Sequence, residues 1–180
     1  MLERPDNRRR SAALVALLGA ALALIAAPSA LGAKPTKTVV EAENFFIPAG
    51  EGCPFDVEEQ VAEGTTFVVK EFGDGRFVTH GNSEPILVNL ETGASFVQKT
   101  RATVTETFDP VANDLFFEIS GRIFVSFLPG DQGPFGEVGA DGALFSVIGH
   151  QRFRLDLDEN LITSYSLNGQ AIDICPFLSG

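Results

Sequence analysis

The chain has 180 residues, with 24 acidic against 13 basic side chains and a net charge of −11. That is one domain's length, enough to bury a sizeable core. The acidity argues against affinity for nucleic acid or anionic membrane surfaces, which depends on lysine and arginine neutralising phosphates.

At the N-terminus, Arg8-Arg9-Arg10 precedes an apolar run from Ala12 to Ala27 and the small residues up to Ala33. A basic head, a short apolar middle and small residues at the end read as an export signal. The run is shorter than the roughly 20 apolar residues a spanning helix needs, so no stable membrane anchor is expected. Cleavage is placed after Ala33, with Leu31 at the other position where the peptidase selects a small or aliphatic side chain. Arg-Arg also matches a twin-arginine signal, but any basic head supplies arginines and the ordinary secretory route is the expected one. The expected organisation is a signal at 1–33, a polar lead-in at 34–52 and one domain at 53–180, in a secreted protein.

Cys53 and Cys175 are the only cysteines, each followed by Pro-Phe. In an exported chain two cysteines are expected to pair. Bridged Cα atoms lie within about 7 Å of each other, so the two ends of the domain are brought together. If the cysteines sit on the first and last strands, the sheet closes on itself. The expected fold is therefore all-β, a closed antiparallel up-and-down barrel of about eight strands with adjacent N- and C-terminal strands. A two-sheet sandwich is the alternative.

Strand signals follow in chain order. Phe55, Val57 and Val61 alternate with Asp56, Glu58 and Gln60, the period of a strand wet on one face. Hairpins are predicted around Gly73-Asp74-Gly75, Thr92-Gly93 and Asp158-Glu159-Asn160, with Asn168-Gly169 as a further tight turn into a closing strand from Gln170 to Cys175. Between Arg101 and Phe108, threonines 103, 105 and 107 take one face and Ala102, Val104 and Phe108 the other. Alternation fails at Phe116-Phe117, at Ile123-Phe124-Val125 and from Ala143 to Ile148, so these segments are expected to be covered on both sides. The cover is either the Phe45-Phe46 segment or a second copy, and a homo-oligomer is the expectation. Pro129 to Gly142, rich in glycine and proline, is read as a long irregular loop that can act as a lid.

Phe46-Ile47-Pro48-Ala49-Gly50, Cys53-Pro54-Phe55, Asp74-Gly75-Arg76, Val88-Asn89-Leu90 with Thr92-Gly93, Leu128-Pro129-Gly130 and Asp173-Ile174-Cys175 resemble the motifs of a family of small exported proteins, common in actinobacteria and without an assigned activity. The resemblance implies a secreted β-barrel of calycin or allene-oxide-cyclase-like shape. It supplies no catalytic residues.

Chemistry-bearing patterns are sparse. No nucleophile elbow, no His-Glu-x-x-His and no phosphate-cradling glycine loop occurs, so no cofactor is expected. His80 and His150, with Asp74 or Glu84, are a weak candidate for a metal or acid–base pair and fit better as polar turn residues. Asp156, Asp158 and Glu159, like Asp131, Glu137 and Asp141, lack the spacing of a calcium loop, and no metal is assigned. Glu71 and Glu118, each flanked by apolar residues on a strand, are candidates for inward carboxylates with raised pKa, with Arg76 or Arg122 as a partner. Phe67 and Phe117 join them as candidate pocket residues. Sixteen phenylalanines either fill a barrel or line a cavity for a small lipophilic ligand. Ligand binding is the leading expectation. A cyclase- or isomerase-type enzyme on the same barrel and a non-catalytic envelope or matrix protein are the alternatives.

Overall fold

The computed structural model describes residues 34–180, so the export signal and the Ala33 cleavage site lie outside the described residues. The fold is all-β with antiparallel pairing. A large sheet has the strand order β1 (Thr36–Glu41), β4 (Thr66–Glu71), β5 (Arg76–Ser83), β8 (Thr100–Asp109), β9 (Asp114–Phe127), β12 (Ala143–Asp156) and β13 (Leu161–Asp173). A small sheet orders β2 (Phe45–Ile47), β3 (Val57–Gln60), β6 (Ile86–Asn89) and β7 (Ser95–Val97). The β10 (Gln132–Gly133) and β11 (Gly136–Glu137) pair and a C-terminal helical turn, α1 (Cys175–Leu178), complete it.

Neither sheet closes. β1 and β13 are opposite edges of the large sheet, so the expected closed barrel with adjacent terminal strands is corrected to an open, sandwich-like pair of sheets. The Cys53–Cys175 bridge is present, with Cα atoms 5.5 Å apart. It ties the turn between β2 and β3 to α1 rather than strand to strand. A disulfide fixes only a Cα separation, and two packed layers satisfy that as well as two paired strands do. The lead-in also corrects: Thr36–Glu41 is a strand paired in register with Thr66–Glu71.

The two sheets share one set of long arms. β1 runs on into β2, β3 into β4, β5 into β6 and β7 into β8 across breaks at 42–44, 61–65, 84–85 and 98–99. The small sheet therefore repeats the order β1-β4-β5-β8. Pro85, which has no N–H to donate, sits in one break and helps end the ladder there. Beyond the breaks the first four arms part from β9 and β12 and become a second layer.

The later strands bend instead of breaking. A cross-strand row of small residues, Gly81, Ala102, Gly121, Gly149 and Gly169, runs through β5, β8, β9, β12 and β13. Gly121 and Gly149 adopt φ of +126° and +132°, open to glycine at little cost. The result is a crease. A straight strand would hold Phe117 and Phe127 roughly 33 Å apart, yet a chain of rings connects them. Phe117 stacks on Phe153 at 4.7 Å, Phe153 lies 6.3 Å from Tyr165, and Tyr165 lies 5.3 Å from Phe127. The sheet thus folds over its own inner face and buries Leu115, Phe117, Ile119, Ile123, Val125 and Phe127 of β9 in one core. Asn168-Gly169, expected as a tight turn, is the mid-strand end of this crease.

The second core lies on the other face of β9 and β12, where Phe124 and Leu144 meet Ile47, Cys53, Phe55, Val57, Leu87, Ile174 and Leu178. Two-sided cover holds at Ile123–Val125 and along Ala143–Ile148, where the small sheet and α1 supply it, but is corrected at Phe116-Phe117, because Phe116 stays 42% exposed on the outer face. The Asn89 amide donates to the Leu178 carbonyl at 2.9 Å while its oxygen accepts from Glu91 and Thr92 N–H, locking α1 to the β6–β7 turn. The 129–142 stretch is pinned at Asp131 and Val138, while most of its other residues are exposed. Val138 is buried, Phe135 meets Phe145 at 5.5 Å, and the Asp131 carboxylate accepts from the N–H groups of Leu128 and Ile162 at 2.7 Å each.

Candidate functional site: a cleft between the sheets

Where the arms part from β9, a cleft opens. Its walls are Phe45, Glu59 and Val61 from the small-sheet side, with Phe67, Gly81, Ala102, Val104, Ile123 and Phe124 opposite. Ser83 and Thr100, whose hydroxyls are 2.7 Å apart, supply polar lining, and Glu43 sits at the exposed rim. A Cβ on Gly81 would stand 2.7 Å from the Phe67 ring, so glycine lets that ring lie flat on β5. The cavity volume is about 40 Å³, room for a few waters and well below the ~300–1,000 Å³ of a pocket that swallows a drug-sized ligand. A drug-sized molecule does not fit inside it.

Glu59 is the unusual member. On the small sheet it is paired with Phe45 on one side and Leu87 on the other, and Leu87 is paired with Phe96. It is the one charged residue in an otherwise apolar cross-strand row facing the large sheet. No hydrogen bond or ion pair joins its carboxyl to another described residue. Burial raises its pKa from 4.5 to about 7, because desolvation penalises the charged form. The cleft lining includes no lysine, arginine or histidine. Glu106 stands likewise among inward residues of β8, is buried, and is raised to about 7 by the same cause.

These two groups set a pH dependence. Folded, they titrate near 7 and unfolded near 4.5, so between those values the folded chain keeps protons that the unfolded chain releases. Their contribution is therefore fully present below about pH 4.5 and is lost as pH rises through 7. Urea unfolding should show stability falling between pH 5 and pH 8, by at most about 3 kcal/mol per carboxyl. The Glu59→Gln/Glu106→Gln double variant should show a much flatter profile. An unchanged slope in that variant would mean the carboxyls are solvated.

The sequence-derived candidates divide. Phe67 lines the cleft and Phe117 is buried in the first core. Glu71 shares a face of β4 with Phe67 and Val69, is half-buried and lies opposite Phe77, away from the cleft lining. Glu118 is corrected: it points outward and pairs with Arg152 at 2.7 Å, both side chains half-exposed. Arg76 turns back onto Asp74 and the Phe72 ring, and Arg122 is on the outer face. His80 and His150 share one cross-strand row, His80–Thr103–Ser120–His150. Each is hydrogen-bonded to a hydroxyl, at 3.0 and 2.8 Å. Three inter-strand steps separate them by roughly 14 Å, too far to share an ion. Asp156 accepts from the N–H groups of Asp158 and Glu159 and so closes its own turn. Among the described residues no cluster of three metal-ligating side chains occurs. Nor, among the described residues, is any helix long and apolar enough to cross a membrane.

A larger open groove of about 440 Å³ lies on the outer face over Phe116, Glu118, Arg152 and Arg154. Its charges are already matched, Glu118 by Arg152 and Arg154 by the buried Asp114. Glu59 has no such match.

Sequence reasoning passed over both raised carboxyls, although the signal was there. Period two places Glu59 on the same face as Val57 and Val61, and Glu106 on the same face as Val104 and Phe108. No protein-family model, curated protein or solved structure matches the chain.

Proposed function

We infer that this is a secreted binding protein that takes the end of a small lipophilic amine into the cleft between its sheets, with the Glu59 carboxylate as the polar anchor. The supporting observation is the unmatched Glu59 carboxyl in an apolar cleft lined by no cation. An ammonium group would satisfy it, and a charge-assisted hydrogen bond of that kind contributes about 1.5–3 kcal/mol. The alkyl part rests on Phe45, Phe67 and Phe124. The net charge of −11 draws cations toward the protein. Export suits the disulfide, and the resemblance to exported actinobacterial proteins points the same way. Binding is favoured over cyclase or isomerase chemistry because Glu59 has no second acid, base or orienting group bonded to it.

Calorimetric titration with octylamine, octanol and octanoate tests this. Octylamine should bind best, and more tightly at pH 8.5, where Glu59 is ionised, than at pH 5.5. Glu59→Gln should weaken octylamine by about tenfold or more, equivalent to ~1.4 kcal/mol, and leave octanol little changed. Equal affinity for amine and carboxylate, or indifference to the substitution, would overturn the assignment.

A further inference from the structure

The exposed edges of the two sheets are unequal. β1 carries Lys37 and Glu41, and β2 and β7 are three residues each. Short edges and charged edges are the usual defences against pairing with another chain. β13 has neither. It is 13 residues long, and from Leu161 to Ile172 it holds no charged residue and no proline. Asp131 and the β10 segment occupy only its beginning, through the hydrogen bond from the Ile162 N–H. From Thr163 to Asp173 every residue is exposed or half-exposed, and the side of the strand away from β12 has no neighbour in the sheet.

We propose that the β13 edge pairs with β13 of a second copy of this chain, joining two large sheets across a two-fold axis near Asn168. The residues themselves favour a copy over another partner. A two-fold antiparallel pair centred on Asn168 sets Ser166 opposite Gln170 on the outer face. On the core face it sets Leu167 opposite Gly169 and Tyr165 opposite Ala171. Hydroxyls and amides both donate and accept, so the polar set is self-complementary. The core set places large against small, and no like charges face each other. Gly169 is one residue from the centre, so both copies bend at the same level. An isologous contact of this kind closes at two chains. It is independent of the ligand cleft, which β13 does not line.

Sedimentation velocity over a concentration series tests it, with Ser166→Lys/Asn168→Lys as the edge-blocking variant. Both side chains lie on the outer face, outside the cleft. The unmodified protein should move from monomer to dimer with rising concentration, and the variant should need at least tenfold more protein to dimerise. Amide hydrogen exchange of the unmodified protein gives a second readout, with protection of residues 166–171 rising in step with the dimer. A monomer up to high micromolar concentration, a dimer untouched by the two lysines, or assemblies that keep growing beyond two chains would each overturn the proposal.

Discussion

Cys53→Ser/Cys175→Ser is expected to lose about 4–5 kcal/mol of unfolding free energy, since the bridge closes a loop spanning 122 residues in sequence and the chain-entropy model assigns that much to a loop of this size. Against a typical ~5–15 kcal/mol of total stability, the loss brings the domain close to unfolding. It should be uneven. Cys53 is fully buried in the second core with Ile174 and Leu178, so α1 and the β2–β3 turn should loosen first. The crease and the first core lie elsewhere and should hold longer. Urea unfolding with and without reductant measures the total. Hydrogen exchange should show early loss of protection at 174–178 and 47–57. If reduction leaves the unfolding midpoint unchanged, packing of the small sheet alone holds the layers together.

Gly121→Ala and Gly149→Ala should be comparably damaging for a different reason. Each glycine has a positive φ that an L side chain rarely adopts. A Cβ would overlap the Arg101 carbonyl oxygen in one case and the Asn168 carbonyl oxygen in the other. Backbone strain costs about 1–3 kcal/mol, and overlap in a packed region a further ~1–3 kcal/mol. Relief requires the crease to open, which separates Phe127 from Tyr165 and exposes the first core. Gly139→Ala is the control, because a Cβ there meets nothing within 4 Å, and it should cost less than about 0.5 kcal/mol. Unfolding curves for the three variants would settle the comparison. Equal small effects in all three would show that the large sheet tolerates a flatter course.

The same glycines show why part of the fold was legible and part was not. A glycine between two apolar runs marks a turn or a bend alike, since both need backbone freedom that other residues lack. At Gly75 and Gly93 the chain turns, and the expected hairpins are present. At Gly121, Gly149 and Gly169 it continues, inside single strands of 13 or 14 residues. What distinguishes the cases is the neighbour. Three glycines aligned across adjacent strands make a crease, and alignment across strands is a property of register. The site has a similar history. Glu118 had an uninformative setting because both of its faces are flanked by apolar residues, and the outer one proved to be wet. Glu59 and Glu106 stood at apolar positions of clean alternating runs, and there the pattern was right about direction.

From the sequence alone follow the all-β character, the pairing of the two cysteines, several hairpins and the two-sided cover at Ile123–Val125 and Ala143–Ile148. Each is local or, for the cysteines, leaves one choice of partner. Tertiary structure decided that the sheet stays open, that its first four arms break into a second layer while the last three bend, and that Glu59 faces an apolar cleft. Those outcomes depend on which strands lie side by side and at what register. Long-range pairing is fixed by the sum of many weak contacts across the whole core, and no short stretch of residues carries that sum.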